Sequence, residues 1–205
     1  MRTEKEKMLT ESMYMANDAE LRADAAVSRR ITRLFNQTTE EQQAYRKELL
    51  RELFEKTGDN FYIEPPFRCD YGQHITIGEN FYANFDCIML DVAKIKIGDN
   101  VMFGPRVGLF TPGHPIDSQV RSSGIEFAKP ITIGNDVWVG AQVTVNPGVT
   151  IGDGTIIGSG SVVIKDIPSN VIAAGNPCRV IRSITNEDKS YWETEKQAYW
   201  DEMKD

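Results

Sequence analysis

The chain has 205 residues, of which 40% are hydrophobic and 26% charged, and its formal net charge is −7. This length and apolar content predict one principal domain with a buried core and exclude an intrinsically disordered chain. The acidic balance excludes a nucleic acid as the main partner, because phosphate backbones are bound by dense basic surfaces.

The start of the chain predicts neither a secretory leader nor a membrane anchor. Residues 1–7 are mostly charged, no apolar h-region follows them, and no uncharged apolar run reaches the length of a bilayer. The three cysteines, Cys69, Cys87 and Cys178, are widely spaced and form no C-x-x-C pair. We therefore expect a cytoplasmic protein with reduced thiols and no metal site.

Residues 1–58 are expected to form an N-terminal helical segment. The capping-box pattern occurs three times, at Thr3–Glu6, Asn17–Glu20 and Thr38–Glu41. We expect a helix after each of these pairs. One apolar face of the last helix is formed by Tyr45, Leu49, Leu53 and Phe54. This helix is expected to stop at Gly58 and to cover the open end of the repeat that follows it.

A six-residue repeat dominates residues 59–184. From residue 133 onward its first place is occupied by Ile133, Val139, Val145, Ile151, Ile157 and Val163. Its fifth place is small or β-branched and is occupied by Val137, Val143, Val149, Thr155, Ser161 and Ile167. Glycine is frequent at the second place. The same spacing occurs earlier, in residues 97–109 and, with the phase shifted by two residues, in residues 77–95.

A period of six matches neither the 3.6-residue period of a helix nor the two-residue alternation of a simple strand. It predicts a mainly β solenoid of roughly six coils, in which three hexads close one coil around a triangular core. The glycine or asparagine is expected to carry the backbone through a turn that disfavours a Cβ atom. The alternative, a β-sandwich with glycine-rich turns, is disfavoured because its turns are irregularly spaced.

The repeat fails in residues 110–129 and then resumes, which predicts an excursion from the solenoid. This excursion carries His114 in the sequence Thr-Pro-Gly-His-Pro, where two prolines and a glycine restrict the backbone. A neutral histidine titrates in the range that a general base requires. The residues alone leave two roles for His114 open, a catalytic base and a loop residue that caps a turn.

Residues 185–205 are polar, with five interspersed large apolar side chains: Tyr191, Trp192, Tyr199, Trp200 and Met203. Two structures are consistent with this composition, a C-terminal docking helix and a frayed tail.

The sequence resembles the hexapeptide-repeat acyltransferases and, within them, the maltose and galactoside O-acetyltransferases. The resemblance extends over nearly the whole chain and is carried by Thr3–Met8, Ile63–Gly72, Phe81–Cys87, His114–Asp117, Trp138 and Gly175–Arg179. It implies a left-handed parallel β-helix with an N-terminal helical segment and a short C-terminal helix. It also implies acetyl transfer from acetyl-CoA to a hydroxyl of glucose, maltose or a related sugar, in a homotrimer whose active sites lie between neighbouring solenoids.

The resemblance implies a role for several residues. His114 would be the general base that takes the proton of the sugar hydroxyl, without a covalent enzyme intermediate. Asn84 would contact the acceptor and stabilise the tetrahedral intermediate, although a left-handed turn residue is also expected at its position. The acceptor is expected to contact Asp18, Asp70, Tyr82, Asn84 and Asp91.

Coenzyme A is expected to pass Ala141 and Ser159, two small residues one coil apart that leave room for its pantetheine arm. Lys165, Arg179 and Arg182 are expected to cluster near the last coils and to bind its phosphates. Trp138 is expected to pack near the excursion and to bound the site.

Three alternatives remain open at this point. The acceptor could be a galactoside, an antibiotic, an amino acid or a lipid sugar, since one fold supports several substrates. This chain departs from the galactoside enzymes at two places: Asp70 replaces a serine, and Asp91 is followed by Val92 instead of a second acid. The acceptor of the galactoside enzymes therefore does not carry over to this chain by analogy. A zinc hydrase would need about three histidine ligands, and this chain has two histidines. A non-catalytic solenoid is disfavoured by the presence of His114 together with Asn84, Lys165 and Arg179.

Overall fold

The structure, a computed structural model, describes residues 1–203. The elements before the repeat are α1 (Glu4–Leu9), β1 (Tyr14–Met15), α2 (Ala19–Asn36) and α3 (Gln43–Leu53). The first half of the repeat contains β2 (Phe61–Ile63), β3 (Phe67–Cys69), β4 (Ile75–Ile77), β5 (Phe81–Ala83), β6 (Cys87–Leu90), β7 (Ile95–Ile97), β8 (Met102–Phe103) and β9 (Gly108–Phe110). The excursion contains β10 (Pro112–Gly113), α4 (Ser118–Ser122) and β11 (Ile125–Ala128).

The second half contains β12 (Ile131–Ile133), β13 (Trp138–Val139), β14 (Thr144–Val145), β15 (Thr150–Ile151), β16 (Ile156–Ile157), β17 (Val162–Val163), β18 (Val171–Gly175) and β19 (Cys178–Ser183), and α5 (Asn186–Glu202) follows. Successive strands along the coils belong in turn to three parallel sheets. The first sheet has β2, β5, β8, β13, β16 and β18, with β19 antiparallel at its edge. The second has β3, β6, β9, β14 and β17, and the third has β4, β7, β12 and β15.

The predicted fold class, a left-handed parallel β-helix, is confirmed. The six parallel strands of the first sheet correspond to six coils. Every first-place and fifth-place residue of the hexads from residue 133 to residue 167 is buried. The core of the early coils is filled by larger side chains, namely those of Phe61, Phe67, Phe81 and Phe103.

We define two corners of the triangular solenoid, because they carry most of the candidate site. Corner 1 connects the strands of the first sheet to those of the second. Corner 2 connects the strands of the second sheet to those of the third. The excursion leaves the solenoid at corner 2, between β9 and β12.

The second-place glycines have a different role from the one predicted. In the later hexads the left-handed backbone conformation falls at the fourth place, at Asp136, Gln142, Gly148, Gly154 and Gly160, with φ between 57° and 81°. At Gly140, in contrast, a Cβ atom would lie 2.7 Å from the backbone nitrogen of Ser159 and 2.9 Å from the carbonyl oxygen of Ile157. The expectation of a turn at the second place was therefore wrong. Glycine is needed there because the next coil comes too close for a side chain.

This distinction predicts different costs for two glycine-to-alanine changes. Gly140→Ala is expected to lower the free energy of unfolding by about 3 kcal/mol, because backbone atoms of the next coil must move. Gly160→Ala is expected to cost only about 1 kcal/mol, because its φ of 73° disfavours a Cβ but no atom lies within 4 Å of it. Urea denaturation of both variants measures the difference. A larger loss at position 160 would contradict the close-approach explanation.

The helix starts were predicted with mixed success. The capping box at Thr3 is confirmed, since its side chain accepts from the Glu6 backbone nitrogen and its own nitrogen donates to the Glu6 carboxylate. Helix α2 is capped by Asp18 and not by Asn17. Helix α3 begins after Gln42 without a side-chain cap, so the prediction from Thr38 and Glu41 was wrong.

Helix α3 closes the first coil of the solenoid. Leu49, Leu53 and Phe54 are buried in the same core as the early strands, whereas Tyr45 is 40% exposed. The helix ends at Leu53, and Lys56 already pairs with the third sheet. Gly58 is therefore not the helix stop, because the chain has joined the solenoid before it.

The excursion forms a small antiparallel sheet with the N-terminal segment. Strand β11 pairs with β10 on one side and with β1 on the other. The hydroxyl of Tyr14 donates a hydrogen bond of 2.8 Å to the carboxylate of Glu126. His114 follows β10 directly, so the N-terminal segment supports the strand pair from which His114 emerges.

The C-terminal segment is helical from Asn186 to Glu202, starting with a capping box between Thr185 and Asp188. This rules out the frayed tail for the described residues. The helix has no buried residue, and its tyrosines, its tryptophans and Met203 are 51–67% exposed. The expected docking onto the rest of the chain is therefore not observed in residues 1–203. Residues 204 and 205 of this predicted segment lie outside the described residues.

Candidate active site

Most of the predicted site residues fall into two groups on opposite sides of the second sheet. The corner 1 group contains Asn84, Ala141 and Ser159, with Tyr82 and Trp138 on the strands of the first sheet that lead to that corner. The corner 2 group contains Asp70, Asp91 and Lys165, and the excursion with His114 leaves from the same corner. The strands of the second sheet separate the two groups. No hydrogen bond or ion pair connects them within residues 1–203.

His114 is exposed and makes no hydrogen bond to the described part of the chain. Its backbone position is set by the pairing of Gly113 with Phe127. Both ring nitrogens are therefore available to a substrate. A turn-capping role, which the sequence left open, has no supporting contact in this structure.

Asn84 lies at corner 1, directly after β5. Its backbone nitrogen donates to the carbonyl oxygen of Phe103, and its side-chain oxygen accepts from the backbone nitrogen of Phe85 at 2.8 Å. The side-chain Nδ2 donates to no described residue, so it is available to a ligand. The left-handed residue of this corner is Asp86, with φ of 62°, and not Asn84 as expected.

The first sheet presents an apolar stripe beside Asn84. Tyr62, Tyr82, Met102 and Trp138 are neighbours in register on successive coils. The rings of Tyr62 and Tyr82 are stacked, with centroids 6.0 Å apart. Trp138 and Met102 are half exposed. Within one chain Trp138 does not pack near the excursion, because the excursion leaves from the other side of the second sheet. A contact with the excursion of a neighbouring chain stays a prediction.

Small residues line the next part of corner 1. The backbone nitrogen of Ala141 donates to the hydroxyl of Ser159 at 3.1 Å, and the backbone nitrogen of Gly160 donates to the carbonyl oxygen of Ala141 at 2.8 Å. A Cβ atom at Gly104 would lie 2.7 Å from the Ala141 nitrogen. The corner is thus a narrow ridge of backbone along which a thin ligand arm can lie.

The three predicted phosphate-binding cations do not cluster in one chain. Lys165 lies at corner 2, whereas Arg179 and Arg182 lie on β19 beside the first sheet. Arg182 binds both carboxylate oxygens of Asp188, at 2.6 and 2.8 Å. This pairing raises the pKa of Arg182 and lowers that of Asp188. Arg182 therefore already has an anionic partner. The Arg179 guanidinium donates, among the described residues, only to the carbonyl oxygen of Cys178.

Asp91 is completely buried, contrary to its predicted contact with the acceptor. Its carboxylate accepts hydrogen bonds from the backbone nitrogens of Asp70, Tyr71 and His74, at 3.0, 2.9 and 3.3 Å. Burial raises its pKa, and the hydrogen bond from Tyr71 opposes that shift. Asp91 shapes the turn of residues 70–74 and does not face solvent.

Asp70 is the partly buried carboxylate of that turn. Burial, followed by the nearby charge of Asp91, raises its pKa to about 6. Glu126 and the hydroxyls of Tyr14 and Tyr71 belong to the same environment, and burial raises the pKa of Tyr71 to about 12. Tyr14, Tyr71 and Glu126 were not predicted as site residues. Only the pairing of β1 with β11 brings Tyr14 to Glu126, and no local motif indicates it.

The raised pKa of Asp70 predicts a pH-dependent stability. An acid with a higher pKa in the folded state favours folding while protonated, and that contribution disappears as the pH rises through about 6. Asp70→Asn is therefore expected to gain thermal stability relative to the native chain between pH 4 and 7. Unfolding temperatures of both proteins across this range measure the gain. A difference that does not change with pH would contradict the assignment.

Asp18 combines a structural role with partial exposure. Its Oδ1 atom accepts from the backbone nitrogens of Glu20 and Leu21, at 2.9 and 3.3 Å, and so caps α2. Its Oδ2 atom has no partner in the described chain.

Within residues 1–203 no group of three or more acidic, histidine or cysteine side chains is arranged to hold a metal ion. None of the helices there combines the length and the apolar character needed to cross a membrane.

Comparison with known proteins agrees with this architecture. A sequence model described as the maltose acetyltransferase hexapeptide capping motif matches residues 7–58, and one described as the bacterial transferase hexapeptide, with six repeats, matches residues 130–165. The galactoside O-acetyltransferase of Escherichia coli K12 is 49% identical over 158 residues, which is 77% of this chain and 78% of that protein. The chain belongs to the hexapeptide-repeat acetyltransferase family.

Solved structures of this family are close to the present one. A maltose O-acetyltransferase from Clostridium difficile 630 is 53% identical, with a TM-score of 0.89 over 90% of this chain and 98% of the other. A galactoside acetyltransferase in complex with coenzyme A is 42% identical, with a TM-score of 0.89 over 92% and 94%. The predicted enzyme class, an acetyltransferase, is thereby confirmed, and the expected donor agrees with the coenzyme A complex. The trimer and the cytoplasmic location stay predictions.

Proposed function

We propose that the protein transfers an acetyl group from acetyl-CoA to a hydroxyl of glucose, maltose or a related sugar, in a site formed between two chains of a homotrimer. One observation carries the proposal. His114 and Asn84 both present an unoccupied polar group to solvent, yet they lie on opposite sides of the second sheet. A neighbouring chain packed against that sheet would bring the His114 of one subunit to the Asn84 of the next.

The chemistry follows from these two side chains. The neutral His114 imidazole takes the proton from the sugar hydroxyl while that oxygen attacks the thioester carbonyl of acetyl-CoA. Nδ2 of Asn84 donates a hydrogen bond to the negatively charged oxygen of the tetrahedral intermediate. The intermediate then expels the thiolate of coenzyme A, which receives the proton from His114. The enzyme itself is not acetylated.

The acceptor is proposed to lie between the two groups. Asp70 and Glu126 supply carboxylate oxygens that accept hydrogen bonds from sugar hydroxyls, and the free Oδ2 of Asp18 is a third such acceptor. Tyr82 offers an aromatic face to the apolar side of the sugar ring. Asp91 acts indirectly, by holding the turn that carries Asp70.

Coenzyme A is proposed to run along corner 1, past Ala141 and Ser159, where the exposed backbone leaves room for its pantetheine arm. Its phosphates would be met by Arg179 from the same chain and by Lys165 from the neighbour, whose corner 2 faces this groove. Arg182 contributes only if its guanidinium binds a phosphate while it remains paired with the Asp188 carboxylate. Trp138 bounds the apolar side of the groove from the first sheet.

Thiol release from acetyl-CoA tests the proposed function. The assay compares glucose, maltose, a galactoside, serine and chloramphenicol as acceptors. Release that depends on glucose or maltose and exceeds that with the other acceptors is the expected result. Preferential release with serine or chloramphenicol would contradict the sugar acceptor, and a protein that sediments only as a monomer would contradict the site between chains.

A further inference from the structure

A cavity of about 410 Å³ lies between the N-terminal helices and corner 2, outside the proposed active site. Its size falls within the range of small-molecule sites, which is about 300–1,000 Å³. Its apolar wall is formed by Leu9, Val27, Ile31 and Leu53. Tyr71 and His74, from the turn that carries Asp70, also line the cavity, whereas the residues proposed to bind acceptor or coenzyme or to act in catalysis do not line it.

The charged residues at the cavity neutralise one another. Lys5 is paired with Asp24 at 2.7 Å, and Lys94 with Glu55 at 3.3 Å. All four of these side chains border the cavity. Because each lysine already has an acidic partner, the cavity has no net charge that would attract an ionic ligand. It favours a neutral one.

His74 provides a hydrogen-bond acceptor at the cavity. The side chain is 7% exposed, and its Nδ1 lies 2.6 Å from the carbonyl oxygen of Asp91. A carbonyl oxygen only accepts, so Nδ1 carries a proton, and Nε2 is an acceptor when the ring carries that proton alone. Nε2 has no partner in the described chain. Every buried side-chain nitrogen or oxygen of the described residues has a hydrogen-bond partner. Because Nε2 has none, it borders open space, and the open space that His74 lines is the cavity.

We propose that this cavity is a second binding site, for a neutral small molecule that has an apolar ring or chain and one hydroxyl group. The apolar part packs against Val27, Ile31 and Leu53, and the hydroxyl donates a hydrogen bond to Nε2 of His74. Tyr71 also lines the cavity, and its hydroxyl, which has no hydrogen-bond partner in the described chain, is a second candidate polar contact. The proposal is independent of the proposed acetyl transfer, because binding can be measured without acetyl-CoA.

Three probes of similar size separate the contributions. p-Cresol has a ring and a hydroxyl, toluene has the ring alone, and benzoate has the ring with a negative charge. Titrations of the full chain, followed by the ¹⁵N shift of the His74 ring and by calorimetry, give the affinities. We expect p-cresol to bind at one site per chain, about tenfold more tightly than toluene, because one hydrogen bond to a buried acceptor is lost. Benzoate is expected to bind more weakly than p-cresol.

Two tryptophan substitutions on α2 locate the site. Val27→Trp fills the cavity from its rim, where position 27 is 51% exposed, and is expected to abolish p-cresol binding while the protein stays folded. Ala26→Trp is the matched control, since position 26 is exposed on the same helix but does not line the cavity. It is expected to leave binding unchanged. Equal binding by the native chain and Val27→Trp, or no saturable binding of p-cresol to the native chain, would overturn the proposal.

Discussion

His114→Ala is expected to lower kcat for acetyl transfer to the sugar by a factor of about 10²–10⁴, the usual contribution of a general base. Its unfolding temperature is expected to stay at the native value. The reason for the second expectation is structural, since the imidazole is exposed and bonds to no described residue. A loss of activity without a loss of stability separates a chemical role from a supporting one.

Gln119→Ala is a suitable control for this variant, because Gln119 is exposed in the same excursion and its side chain makes no contact assigned to the reaction. Its kcat is expected to be native. Full activity of His114→Ala would remove the histidine from the mechanism. A matching drop in unfolding temperature would instead show that the imidazole holds the excursion together.

Co-expression of two inactive variants is expected to restore activity. A His114→Ala chain retains Asn84, and an Asn84→Ala chain retains His114. If each site takes one residue from each of two neighbouring chains, random mixing in a trimer leaves about a quarter of the sites with both residues intact. The mixed protein should therefore show roughly a quarter of the native activity, against almost none for either variant alone.

The geometry of the single chain makes this test decisive. The two residues lie on opposite sides of the second sheet, so a site within one chain would require a large movement of the excursion. Mixed oligomers as inactive as the parents would show that both residues act from the same chain. The control is the co-expression of two copies of the His114→Ala chain, which should give an inactive protein.

The repeat was predictable because the burial of each residue in a hexad depends on its place in that hexad. A first-place aliphatic residue, such as Ile157, is buried in its own coil whatever happens elsewhere, and the same holds for its neighbour at the fifth place. The candidate residues at the corners followed from the resemblance, since motifs around Asn84 and His114 are local in sequence. Nothing in these motifs required knowledge of distant parts of the chain.

The remaining features depend on contacts between distant segments, which a local pattern does not encode. The cost of a side chain at Gly140 comes from the following coil, so the glycine was misinterpreted as a turn residue. The burial of Asp91 was not foreseen, because the three backbone nitrogens that donate to its carboxylate lie 17 to 21 residues earlier. The cap of α2 was predicted at Asn17, whereas the extended backbone and the capping hydrogen bonds are found one residue later, at Asp18.

The pairing of β1 with β11 has a consequence for the order of events during synthesis. Tyr14 and Glu126 are 112 residues apart, and within residues 1–203 β1 has no other strand partner. At a typical translation rate of 5–20 residues per second, β1 waits roughly 6–20 s for its partner to leave the ribosome. Strand β1 is thus made early and paired late, after the first coils have been synthesised, whereas α3 meets its partners in the first coil soon after it is made.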